Sequence, residues 1–149
     1  MHVDPITVVR QLVDAINGAD WAALRALLHP RFRRHSMAAG GSGVENAADF
    51  ERFLRGERAT YPDALEEILD VFSDGAKVAA RHLFTGTQLG PLGDHPPNGR
   101  RVRSVYIALY QVEDGRIREA WAEWDNLADL QQLGHVSGRP QKNREVAKQ

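Results

Sequence analysis

The apolar residues of the first third of the chain fall at helical spacing. Val8, Val9, Leu12, Val13 and Ile16 recur every three or four positions, along one face of a helix. Asp4-Pro5 marks its start, a capping acid followed by proline at the first helical position, and Asn17-Gly18 marks its end. Asp20 caps a second helix, with Leu24, Leu27 and Leu28 on its apolar face and Pro30 closing it. Residues 36–43, SMAAGGSG, read as a flexible loop. A third helix carries Phe50, Phe53 and Leu54, and Tyr61-Pro62-Asp63 ends the helical half.

Further on, the period shortens to two. Residues 65–72 lead into the turn Ser73-Asp74-Gly75, and residues 77–87 alternate as a strand does. A long loop, GPLGDHPPNG, occupies 90–99. Strand pattern resumes over 102–112, turns at Glu113-Asp114-Gly115, and returns over 116–124. A short helix over 126–133 follows. Helices first and strands second is the α+β pattern. It predicts three N-terminal helices packed on one face of a curved, mainly antiparallel sheet, with an apolar cone between the layers. The domain is expected to span residues 1–134. The polar stretch 135–149 reads as a frayed tail, or as a segment docked on a partner subunit.

Composition narrows the function. The chain has 149 residues, 42% hydrophobic and 26% charged, which fits one globular domain with a real core. A net charge of -1 argues against nucleic acid as partner, since that needs a concentrated basic surface. Arg31, Arg33 and Arg34 cluster and read as solvated loop charges. No cysteine is present, which excludes disulfides, thiolate metal sites and a cysteine nucleophile and fits the cytoplasm. No stretch has a leader pattern or the roughly 18 apolar residues of a membrane span. The six histidines show no HxH, HxxxH or HExxH spacing, so no metal is expected. Phosphate-binding glycine loops and a Gly-x-Ser-x-Gly elbow are also missing.

The candidate chemistry centres on residues 116–134, RIREAWAEWDNLADLQQLG. Trp121, Glu123 and Asp125 stand at i, i+2 and i+4, on one face of a strand. An aspartate titrates near ~3.9 in water and is a poor acid or base at neutral pH. Burial in an apolar cone would raise it and make it useful in both directions. Asp125 equally suits the N-cap of the helix that follows. Glu123 could split its titration with Asp125, or pair with an arginine at the rim. His35 could orient Asp125 or donate to a substrate carbonyl, or be structural. Arg81 shares a strand face with Ala79 and Leu83 and needs a carboxylate or an oxyanion. His82 then takes the opposite face, outside the sheet or at a subunit interface. Tyr106 and Tyr110 alternate on one strand and could present hydroxyls to a ligand or simply pack, and Tyr61 could stand at the cone mouth.

The segments VRQLVDAINGADWAALRALLHPRFRRH, FERFLRGERATYPD, KVAARHLFTGTQLG, PPNGRRVRSVYIALYQVEDGRI and REAWAEWDNLADLQQLG follow one another between residues 9 and 134. In order and spacing they resemble the SnoaL-like polyketide cyclases, or ester cyclases, of the nuclear-transport-factor-2-like superfamily. The resemblance implies a cofactor-free, cone-shaped α+β barrel, usually dimeric, acting on a small apolar substrate. It implies a strand-end Asp, here Asp125, as acid/base in an intramolecular aldol closure of a polyketide ester, with His35 looking into the cavity. Relatives include epoxide hydrolases, isomerases, dehydratases and members without known catalysis, so the fold leaves these open, as it does a non-catalytic binding module. Many relatives read Gly-Thr-His where this chain has Gly86-Thr87-Gln88, which makes Gln88 a substrate-binding candidate unable to transfer a proton. Tyr110 stands near a position where His is common. A homodimer is expected across the open sheet face, with His82, Phe84, Ala120, Ala122 and Trp124 pointing outward.

Overall fold

Asp4 folds over the first turn of α1 (Pro5–Asn17), its carboxylate accepting from the Ile6 and Thr7 amides. Asp20 does the same for α2 (Trp21–Leu27), accepting from the Ala23 amide. These elements belong to a computed structural model that describes residues 3–38 and 40–138. The second helix does not run on to Pro30. It stops at Leu27, and β1 (Leu28–His35) follows directly. Then come α3 (Ala47–Thr60), β2 (Leu65–Asp74), β3 (Lys77–Thr87), β4 (Arg101–Glu113), β5 (Arg116–Glu123) and α4 (Asn126–Gln132).

The expected α+β architecture is present, with one strand placed among the N-terminal helices. The five strands form one sheet in the order β1-β5-β4-β3-β2. The pairs β2–β3, β3–β4 and β4–β5 are antiparallel, whereas β1 runs parallel to β5. β1 lies at the sheet edge, where Pro30 costs no ladder hydrogen bond. Only Phe32 and Arg34 of its second half are buried, so it carries no alternation long enough to read.

Cross-strand partners share a face, and the register therefore assigns each side chain to one. Val78, Ala80, His82 and Phe84 lie opposite Tyr110, Ala108, Tyr106 and Ser104, on the face beneath the helices. Val8, Val9, Leu12, Leu24, Phe32 and Ile117 complete the core there, each 3% exposed or less. Ala79, Arg81, Ile107, Leu109, Trp121 and Glu123 lie on the opposite, uncovered face. The outward set expected from the sequence is thus inverted: His82, Phe84, Ala120, Ala122 and Trp124 face the helices and line a cavity. A bulge between Ile117 and Glu119 sets the phase of β5, with Ile117 inside and Glu119 and Trp121 outside.

The 88–100 connection folds against the end of α3. The Leu89 and Gly90 amides both donate to the Thr60 carbonyl, and the Thr60 hydroxyl donates to Pro91. A Cβ on Gly90 would stand 2.4 Å from the Ala59 carbonyl oxygen, so only glycine fits. His135 is not frayed. Its ring stacks on His95 at 4.6 Å and bonds the Gln88 side-chain oxygen at 2.5 Å. The rest of the expected tail from residue 139 lies outside the described residues. Among the described residues, no helix is long and apolar enough to cross a membrane.

Candidate active site

Between the helices and the inner sheet face lies a cavity of about 510 Å³. Phe50, Phe53, Tyr61, Phe84 and Trp124 give it an aromatic wall. Polar groups reach it from every layer: Arg34 on β1, Glu57 on α3, Glu66 on β2, His82 on β3, Tyr106 and Tyr110 on β4, and Asp129 on α4.

Asp125 is not among them. It is an exposed residue at the N-cap of α4, its Oδ1 accepting from the Ala128 amide at 3.0 Å. The acid that enters the cavity is Asp129, one helical turn later. It lies four residues before the fully buried Leu133, on the helix face that turns inward. The Ser104 hydroxyl donates to Asp129 Oδ2 at 3.0 Å. Burial pushes its carboxyl up to about 6, against the pull of that bond, and the Asp125 charge adds a little more. Glu57 is pushed up to about 7 by burial, with Arg34 and Arg58 pulling the other way. The Tyr61 hydroxyl is held up at about 12 by burial, and then by the charges of Asp129 and Glu57.

A second polar group forms the deeper wall. The Tyr106 hydroxyl donates to Glu66 Oε1 at 2.9 Å, and the Tyr110 hydroxyl bonds His82 Nε2 at 2.9 Å. The Tyr106 ring stacks on the His82 imidazole, centroids 4.7 Å apart. Burial raises Glu66 and both tyrosines and lowers His82 to about 4. Arg34 is 6% exposed, not a solvated loop charge. Its guanidinium lies 5.3–5.8 Å from the Phe50, Phe53 and Trp124 ring centroids, and Nη1 donates to the Gly41 carbonyl. Burial lowers its pKa.

Other expected site residues sit elsewhere. His35 is on the outer face, bonded to Glu119 at 2.7 Å and stacked on Trp121. Trp121 therefore faces away from the cavity, with Lys77 over its ring. Arg81 pairs with Asp70 across β2 and β3 on that same face. Glu123 is exposed and accepts from the Met37 amide. Gln88 is fully buried but works as a loop anchor, its amide donating to the Gly90, His95 and Pro96 carbonyls. Each of these side chains has a local partner that accounts for its position. Tyr61, Tyr106 and Tyr110 do line the cavity.

Sequence reasoning missed Asp129, Glu57, Glu66, Arg34 and the inward His82. Glu57 was legible, because it continues the stripe Phe50, Phe53, Leu54 at i+7, i+4 and i+3, where an acid is out of place. Outside the cavity, folding brings His29 to Glu113 and Asp114, ligand atoms within 4.8 Å of one another. Two of those groups already serve local contacts: His29 Nδ1 accepts from the Arg31 amide, and Glu113 faces Arg118 at 3.5 Å.

The fold recurs in solved structures. IdmH from Streptomyces antibioticus, a proposed polyketide cyclase, superposes with a TM-score of 0.80 at 28% identity, covering 89% of this chain and 99% of that one. TsrD from Streptomyces laurentii matches with a TM-score of 0.78 at 27% identity, over 91% of this chain and 100% of that one. AclR from Streptomyces galilaeus, a proposed hydroxylase, shares the fold at 22% identity with a TM-score of 0.79, over 92% and 85% of the two chains. No functionally curated protein matches the sequence at a significant level. The profile of one family matches residues 6–133, nearly the whole described chain, and with the cone-shaped cavity it places this protein in the SnoaL-like polyketide cyclase family.

Proposed function

We propose that the protein is a cofactor-independent acid/base enzyme that closes a ring in a small, largely apolar polyketide-type substrate by intramolecular aldol chemistry. The observation that carries this reading is Asp129. It is a carboxyl in an apolar cavity, oriented by Ser104 and pushed up to about 6, where it can take and return a proton at neutral pH. Asp129, rather than Asp125, is the proton-transferring carboxylate in this reading.

The ionised Asp129 removes an α-proton from carbon flanked by carbonyl groups. The electron pair passes to the carbonyl oxygen as an enolate. It then returns to form the new carbon–carbon bond at a second carbonyl, whose oxygen becomes an alkoxide. Glu57, protonated below about 7, supplies the proton that neutralises it. The two carboxyls are thus offset in the order a base and an acid require. The aromatic wall takes the flat body of the substrate, and Arg34, the one buried cation among the described residues, serves an oxygen-bearing end.

The direct test is incubation with a linear aromatic polyketide methyl ester. Ring closure without loss of mass, detected by chromatography and mass spectrometry, is the expected result. Asp129→Asn should slow it by about two to four orders of magnitude. Unchanged closure by the Asn variant contradicts the assignment.

A further inference from the structure

Arg34 is 6% exposed, and no carboxylate among the described residues forms an ion pair with it. Other arginines of the chain do pair: Arg25 and Arg55 with Glu51, Arg81 with Asp70, Arg118 with Glu113. Those pairs lie nearer the surface, where water also serves the charge. Arg34 has neither water around it nor a counterion. Native proteins match a buried charge with an opposite one, because leaving it alone is costly.

The guanidinium belongs to the cavity wall. It lies among Phe50, Phe53 and Trp124, three rings that line the cavity together with it. The rings steady the cation without neutralising it. Nη1 donates to the Gly41 carbonyl at 3.3 Å, a long bond to a neutral acceptor. Nε and Nη2 meet no acceptor among the described residues, yet neither is one of the fully enclosed atoms left without a partner. They therefore keep accessible surface, unlike Glu66 Oε2 and His82 Nδ1. The acids of the cavity do not supply the missing charge. Burial holds the proton on Glu57 up to about 7 and raises Glu66 well above the usual carboxylate range. Burial, Ser104 and Asp125 are what move the Asp129 carboxyl, and Arg34 is not among them.

We infer that the ligand of this cavity is an aromatic carboxylic acid, and that Arg34 anchors it by its carboxylate. A planar carboxylate matches the guanidinium fork and closes the charge that the protein leaves open. The rings around Arg34 then lie beside the flat carbon body that the carboxylate carries. The inference rests on the acid/base reading above for the use of the cavity as a substrate site, but the anchor and the proton carrier are different groups. A neutral ester of the same body keeps the reacting carbons and loses only the anchor. Arg34 is thus a binding residue that selects acids over their esters and fixes which end of the ligand lies toward β1.

The probes are 2-naphthoate and its methyl ester, each titrated by fluorescence against the full chain at pH 6, where Glu57 keeps its proton and the free acid is ionised. Saturable binding of the acid is expected, at least about tenfold tighter than that of the ester. Arg34→Met should bring the two affinities within about twofold, chiefly by weakening the acid. Arg34→Lys should keep part of the preference, since the charge stays and the fork is lost. Circular dichroism checks folding, and if Arg34→Met does not fold, the wild-type ratio and Arg34→Lys decide. Absence of saturable binding of the acid, equal affinity for acid and ester in the wild type, or a preference unchanged in Arg34→Met would overturn the anchor. Failure of the acid/base reading looks different: Asp129→Asn would keep turnover of the polyketide while the wild type still preferred the acid.

Discussion

Glu57 and Asp129 titrate close to neutrality because burial takes water from each carboxyl and no ion pair among the described residues makes up for it; the pull of Arg34 and Arg58 on Glu57 is the weaker effect. Folded Glu57 titrates at about 7 against 4.5 for the free side chain, and Asp129 at about 6 against 3.8. The folded state therefore binds these protons more tightly than the unfolded chain. Their stabilisation is complete below pH 3.8 for Asp129 and 4.5 for Glu57, and is lost as pH rises through about 6 and about 7. Glu57→Gln should raise the melting temperature at pH 8 and change it little at pH 4, a gain on the order of 2–3 kcal/mol at the upper end. A lower melting temperature at pH 8 would mean that Glu57 is ionised and paired. The same offset predicts a bell-shaped kcat/KM, rising as Asp129 ionises near 6 and falling as Glu57 does near 7. Glu57→Gln should remove the falling limb. Asp125, by contrast, is a cap: Asp125→Ala should cost about 1 kcal/mol of stability, and Asp125→Asn almost nothing.

At the scale of elements, the helices and the hairpin were legible because their signals are local. Asp4-Pro5, Asp20 and Glu113-Asp114-Gly115 each fix a boundary by chemistry within a few residues. The faces of the strands were not. On β3 and β4 both faces carry apolar residues, so alternation cannot say which one meets the helices. On β5 the bulge before Glu119 shifts the phase, and a pattern counted from the buried Ile117 fails at Trp121. β1 was hidden by Pro30 and three arginines, which an edge strand tolerates. Arg34 and His82 were misread for these reasons alone. Asp129 was obscured by Asp125, which offers the same carboxyl one turn earlier, and only the burial of Leu133 picks the inward face of α4. The 88–100 connection, tied to Thr60 and carrying Pro91 and Leu92 into the cavity wall, depends on close backbone approach. Gly90→Ala should lower stability by roughly 1–3 kcal/mol, since its Cβ meets backbone and not a movable side chain. A melting curve unchanged by that substitution would show that the loop can step aside.

At the scale of the whole molecule, the helices cover one sheet face and leave the other open. That open face carries Phe72 at 68% exposure, Ile107 at 60% and Leu109 at 48%, edged by the Arg81–Asp70 and His35–Glu119 pairs. An apolar patch with both signs of charge at its rim complements itself, and we propose a second copy of this chain as its partner. Sedimentation at micromolar concentration should give twice the chain mass, and Ile107→Glu should give the single mass; a wild-type monomer that persists on concentration contradicts the dimer. The central claim, however, lies inside the cavity, and it concerns which of two aspartates moves a proton. The most direct measurement is solvent deuterium exchange at the α-carbon of an aromatic β-keto ester, followed by proton NMR for the wild type, Asp125→Asn and Asp129→Asn. The account predicts wild-type exchange for Asp125→Asn and a loss of about two to four orders of magnitude for Asp129→Asn. Wild-type exchange by Asp129→Asn, or a loss confined to Asp125→Asn, would contradict it.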